Sequence, residues 1–212
     1  MFSREKRDLL NPKILCAILA LIPAPFASAG LILDFTPVTR NNPASGLIGA
    51  AQFHLTIEDD AGLINFTFAN QGPDNCTISE IYFDDDNLLQ PGTIFNPAGI
   101  QFQAGANPPN LPGGNNITPG FSATPALSIQ AHAPAQKNGI NPGASLTLRC
   151  ALQEGRTVAD FYQALNDGAL RIGLHANGFP TLNSEAFVNA PEPATLALIL
   201  AGLLCRRRKR KM

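Results

Sequence analysis

Asp84-Asp85-Asp86-Asn87 is the densest run of oxygen donors in the chain, and clustered carboxylates are how proteins hold a hard cation such as calcium. In extended backbone Asp84 and Asp86 share a face while Asp85 points away, so Asp84 and Asp86 are the expected calcium ligands. The run lacks the spaced Asp-x-Asp-x-Asp-Gly order of an EF-hand loop. A solvated acidic loop that ends a strand and blocks edge pairing is the competing reading. Glu58, Asp59 and Asp60 form a second acidic turn. His54 and His175 fall at polar positions of alternating segments and read as exposed side chains, and neither they nor His132 have the Cys/His spacing of a zinc site. There is no His-Glu-x-x-His and no Gly-x-Ser-x-Gly, and Leu111-Pro112-Gly113-Gly114 lacks the Lys-Ser/Thr of a phosphate loop. No catalytic residue is assigned. A hydrolase is the weakest alternative, because the paired carboxylates of glycoside hydrolysis are defined by their separation in space.

Cys76 and Cys150 are the two thiols left once the chain ends are set aside. In an oxidising compartment an even pair predicts a disulfide, worth roughly 4 kcal/mol for a loop of that length. Two separate buried thiols are the alternative. Sugar platforms are usually built from flat aromatics, and the chain has no Trp and only Tyr82 and Tyr162. Its 13 Phe mostly occupy apolar strand positions. Carbohydrate binding therefore survives as a calcium-assisted polar site.

The elements that must position these groups are mostly strands. Phe53, Leu55 and Ile57 alternate with polar residues, Asp59-Asp60-Ala61-Gly62 supplies a turn, and Ile64, Phe66 and Phe68 alternate again. That pattern predicts a hairpin with one apolar face. Residues 76–83, 99–103, 126–132, 146–152, 170–174 and 186–188 read as further strands. Val158, Phe161, Tyr162 and Leu165 recur with helical spacing behind Thr157 as N-cap and Asp160 three residues on, and Asn166-Asp167-Gly168 stops the helix. Residues 104–120, rich in Pro and Gly, read as an irregular surface loop. The expected fold is all-β: one antiparallel β-sandwich, jelly-roll-like, with a single short helix.

Charge is divided unevenly. Residues 30–189 carry five cations against 13 acidic groups, a net of −8, while ten of the 15 basic residues lie at the two ends. A basic-patch, nucleic-acid reading of the final six cations is poor, since they adjoin an apolar segment and the body is acidic, and no nucleic-acid partner is expected. At the N-terminus, Arg4, Lys6, Arg7 and Lys13 precede the apolar run Ile14 to Ile22, and Ala27-Ser28-Ala29 offers a small-residue cleavage site. This is the form of a secretory signal helix, cleaved between Ala29 and Gly30.

At the other end Pro191-Glu192-Pro193 is followed by twelve uncharged residues, Ala194 to Cys205, and then by Arg206, Arg207, Arg208, Lys209, Arg210 and Lys211. Cations stop a membrane segment on the cytoplasmic side. Twelve helical residues rise only about 18 Å, and snorkelling Arg and Lys stems extend that reach. The order of parts resembles the PEP-CTERM sorting tail of Gram-negative surface proteins, over residues 191–212. The resemblance implies that Pro191, Glu192 and Pro193 are the sorting signal, that 194–205 is a C-terminal membrane helix, and that an exosortase processes it. Ile81-Tyr82-Phe83-Asp84-Asp85, residues 138–143, Gly173-Leu174-His175 and residues 184–188 look more loosely like the body that accompanies such tails. The domain plan is then 1–29 signal, 30–189 exported body and 190–212 sorting tail. The expected function is a non-enzymatic surface or extracellular-matrix protein, anchored transiently in the inner membrane. Signal peptidase and the exosortase are its processing partners, and exopolysaccharide is the ligand class such tails imply. A calcium-dependent carbohydrate-binding module is the alternative.

Overall fold

The computed structural model describes residues 30–189. Both expected terminal helices, with the cleavage site at Ala29, Pro191 to Pro193 and the basic cluster, lie outside the described residues. Among the described residues no helix is long and apolar enough to cross a membrane.

Ten strands run in chain order: β1 (Leu31–Pro37), β2 (Phe53–Asp60), β3 (Leu63–Asn70), β4 (Thr77–Asp84), β5 (Thr93–Phe95), β6 (Phe102–Ala104), β7 (Ile129–Ala131), β8 (Ala144–Ala151), β9 (Arg171–Asn177) and β10 (Glu185–Asn189). Helix α1 (Pro43–Gln52) joins β1 to β2, α2 (Ala135–Asn138) follows β7, and α3 (Val158–Asp167) follows β8. The strands hydrogen-bond in the order β5-β8-β3-β2-β1-β10-β9-β4-β7-β6. Every ladder is antiparallel.

β1 is the seam. Its first half, Leu31 to Asp34, pairs with β2, and its second half, Phe35 to Pro37, pairs with β10. The ladder thus folds into two layers, β5-β8-β3-β2-β1 (the first layer) and β1-β10-β9-β4-β7-β6 (the second layer). Their inner faces meet where Phe66 of β3 packs edge-on to Phe83 of β4 at 5.1 Å between ring centres. On the side away from the seam, the Asn96 side chain stands in for a strand. Its amide donates to the Phe102 carbonyl at 3.0 Å and its oxygen accepts the Phe102 N–H at 2.7 Å. This side-chain staple ties the β5 end of the ladder to the β6 end and nearly closes the molecule into a barrel.

The expected hairpin is present, with Phe53, Leu55, Ile57, Ile64, Phe66 and Phe68 fully buried. Ala61 and Gly62 both take positive φ, 52° and 87°, which fits the right-handed twist of a two-residue β-turn. The expected helix is α3. Thr157 and Asp160 exchange a capping box, and Phe161 packs 5.8 Å from Phe66.

Three expectations need correction. The winding is not a jelly roll: β1–β2, β2–β3, β6–β7 and β9–β10 keep sequential strands side by side, a long return brings β8 beside β3, and the last strand, β10, lies beside the first. α1 is a second full helix. The Asn42 side chain caps it by accepting from Ala44 and Ser45, and Pro43 starts it. Its buried positions are Ser45, Gly46, Gly49 and Gln52, so it docks through small residues and shows no apolar stripe. Finally, residues 104–120, expected to be surface loop, are with Phe121 more than that. Leu111 and Phe121 fold back on the outer side of the second layer and form a small second core with Val38, Tyr82, Ala186 and Val188. A Cβ at Gly173 would come within 2.9 Å of both Leu111 methyls, so this cover lies directly on the β9 backbone. The Tyr82 hydroxyl donates to the Pro108 carbonyl at 3.0 Å and holds it down.

Candidate functional site

Asp84 ends β4 and forms an ion pair with Arg171 of β9, directly opposite in the ladder. It also accepts the Ser122 N–H at 3.1 Å. The same guanidinium donates to the Pro119 and Gly120 carbonyls and lies 5.4 Å above the Phe121 ring. Asp84 therefore anchors the end of the 105–121 cover. Asp85 points away from Asp84 as expected, to the face of Ile81 and Phe83, and is the buried member of the run at 1 % exposure. It accepts the Leu88 and Leu89 N–H groups at 2.9 and 2.8 Å and the Thr124 hydroxyl, so it is the internal brace of the turn after β4. Asp86 is exposed, with φ 45°. The run does not converge on a point, and no group of three or more His, Cys, Asp or Glu among the described residues is placed to hold a metal. The calcium pair Asp84 and Asp86 is corrected accordingly: a cation would have to displace Arg171 from the only carboxylate of the two that is anchored.

The expected disulfide is corrected as well. Cys76 and Cys150 are free thiols, both buried. Cys150 pairs across from Ile64 at the start of β3, whereas Cys76 lies beside Asn70 at its end, where the Gln52 amide donates to Sγ at 3.2 Å. Six residues of strand put the two sites on the order of 20 Å apart, far beyond the reach of a bridge. Burial pushes the thiol pKa values up, to about 11 at Cys76 and about 12 at Cys150.

Two of the three histidines are paired with acids, and these two, expected to be exposed, are half-buried. His54 Nδ1 is 2.9 Å from Asp34, and His175 Nδ1 is 2.6 Å from Glu80. Ser79 completes a Ser–Glu–His contact set, but its hydroxyl bonds the Glu80 carboxylate and the His175 carbonyl. A nucleophile needs the imidazole itself within reach of its hydroxyl, so this set is not wired for acyl transfer. His132 is exposed.

The feature that sequence reasoning missed is the outer face of the first layer. Register lines up Ile32, Thr56, Thr67, Thr147 and Phe95 in one row across five strands. The Thr67 and Thr147 hydroxyls bond each other at 3.0 Å. The row on one side is Glu58, Asn65, Arg149 and Thr93, and on the other Asp34, His54, Ala69 and Ser145. Arg149 is held by Asn65 at 2.7 Å, by Asp60 at 3.7 Å and by the Phe95 ring at 5.3 Å. Each residue sits at the polar position of its strand, a signal that is legible in sequence. Which ones share a row depends on pairing partners as far apart as β3 and β8, which alternation does not report.

No family model, no curated protein and no solved structure matches the chain.

Proposed function

We propose that the chain is an exported, non-enzymatic surface or matrix protein, delivered through its signal and sorting tail, and that the β-domain of 30–189 acts by binding. The observation that carries this is where the domain's two ends lie. β1 and β10 are antiparallel neighbours, with Phe35 opposite Asn189. Leu31 is four residues further along, about 13 Å beyond that pair, in the same direction in which the chain leaves β10. Entry from the signal and exit to the tail thus fall at one end of one strand pair. A body with both junctions on one side suits a bilayer-addressed chain, since the rest of its surface is left free for contact. The net −8 of the body and the basic ends fit the same topology.

The test is the intact mass of the protein recovered from Gram-negative cells with and without an exosortase. A product that begins at Gly30 and lacks the basic cluster only when the enzyme is present supports the proposal. An uncut chain, or the same tail mass in both hosts, overturns it.

A further inference from the structure

We propose that Cys76 and Gln52 join as an internal thioester, and that this bond acylates primary amines that reach the loop above it. The free thiol described above is then the precursor, and the alkaline titration of Cys76 belongs to that form.

Three observations at one buried spot carry the assignment. The first is a crowded contact. Gln52 Nε2 lies 3.2 Å from Cys76 Sγ, 3.1 Å from Asn70 Oδ1 and 3.1 Å from the Asp74 carbonyl oxygen. A carboxamide nitrogen has two hydrogens, so three acceptors are one too many, and sulfur is the weakest of the three. Thiol and amide are thus left in contact as nucleophile and acyl group. Cys150, at the other end of β3, is out of reach as a competing partner.

The second is how the acyl group is held. Gln52 Oε1 accepts the Asp74 N–H at 2.7 Å, a backbone donor aimed where negative charge gathers when the carbonyl is attacked. Gln52 and Cys76 are each 2 % exposed, and Asn70, which bonds both, is fully buried. Reactants fixed in this way gain effective molarities of about 10⁵ M or more. The same burial shields the product from water.

The step needs no oxidant. Sγ bonds to Cδ of Gln52, the Cδ–Nε2 bond breaks, and the thiol proton leaves with the nitrogen as ammonia. Burial keeps that proton on the sulfur, beside the atom that departs with it. In the second step an amine nitrogen takes Cδ, the C–S bond breaks, and a proton from the amine restores the Cys76 thiol. Unfolding in water hydrolyses the bond and returns the same thiol.

The third is position. Gln52 precedes Phe53, the partner of Asn70, whereas Leu31 pairs with Ile57 at the other end of β2. The bond therefore lies at the pole opposite the chain's entry and exit. Gln71 and residues 73 to 75, which lead from Asn70 to Cys76, are exposed there. In a chain held by its tail that pole faces outward, and only this last point leans on the export reading.

The test is intact mass of the full chain, denatured in acid, before and after methylamine. The parent should be lighter than its sequence by one ammonia. Cys150→Ala should show the same loss, and Cys76→Ala and Gln52→Met should show none. Methylamine should add once, at Gln52 in a peptide map, and free a thiol at Cys76, a readout that needs no variant to fold. Full mass in the parent or no methylamine at Gln52 would each overturn the proposal. So would an ammonia loss that survives Cys76→Ala, as a succinimide at Asn138-Gly139 or Asn177-Gly178 would. Signal and tail cleavage shift parent and variants alike, so failure here is distinct from failure of the export reading.

Discussion

Gly49 of α1 sits against the ring of Phe187 in β10: a Cβ built on Gly49 would lie 2.2 Å from Phe187 Cζ and 2.8 Å from Phe53 Cε2. Phe187 has little room to yield, because Phe53 packs edge-on to it at 5.2 Å and Phe179 lies on its other side at 6.5 Å. Helix propensity favours Ala over Gly by about 1 kcal/mol, while overpacking a filled core costs about 1–3 kcal/mol. We expect Gly49→Ala to lower the melting midpoint modestly and Gly49→Val to lower it further. A midpoint that rises for both would show that α1 is not seated on β10.

Asp85 and Asp86 separate brace from surface. Asp85→Ala leaves the Leu88 and Leu89 amides and the Thr124 hydroxyl without their acceptor, an expected loss of roughly 3 kcal/mol. Asp86→Asn is expected to stay within about 0.5 kcal/mol. Chemical denaturation of the two variants measures the difference. Millimolar calcium is expected to leave the parent's midpoint unchanged, since Asp84 is committed to Arg171.

The thiols give a pH dependence of defined sign. Both Cys76 and Cys150 titrate well above the ordinary 9.0 because burial penalises the thiolate. Between pH 9 and about 11 to 12 the unfolded chain has lost protons that the fold retains, so stability is full below pH 9 and falls as pH rises through that window. Denaturant titrations at pH 8 and pH 10.5 should show the decline, and Cys76→Ala with Cys150→Ala should reduce it, leaving the share of Tyr82, whose hydroxyl burial also shifts upward. Cys76 and Cys150 should not react with Ellman's reagent at pH 8 until the domain is unfolded.

The cover over the second layer should open independently of the barrel. Tyr82→Phe removes one hydrogen bond, to Pro108, an expected cost of about 1 kcal/mol. Leu111→Ala removes the side chain that lies on Gly173, for which about 2–5 kcal/mol is expected. Hydrogen exchange checks both: amides of 110–121 should exchange faster in the variants while those of β2 and β3 do not.

The β2–β3 hairpin and α3 were readable because their signals are local: strict alternation around Asp59 to Gly62 for the one, and the Thr157–Asp160 box with Gly168 for the other. α1 was hidden because its packing face is Ser, Gly and Gly, which leaves no hydrophobic period to detect. Only Asn42-Pro43, a cap followed by a first-turn proline, marked its start. Leu111 and Phe121 are isolated apolar residues among Pro, Gly and Asn, and only the tertiary fold shows that both land on one sheet. The acidic run was legible as a cluster but not in its roles: alternation carries Asp85 to the face of Ile81 and Phe83, where it is buried, while Asp84 faces the other way and is taken up by Arg171. Neither thiol's neighbours could be known without the register that puts Cys150 at one end of β3 and Cys76 at the other.

The adjacency of the first and last strands bears on how this domain can be handled. Because Phe35 and Asn189 are partners, residues 30–189 form a cassette whose two splice points lie at the same end of one strand pair. Such a cassette could be grafted into a surface loop of an unrelated host without prying that loop apart, carrying its threonine row along as a displayed face.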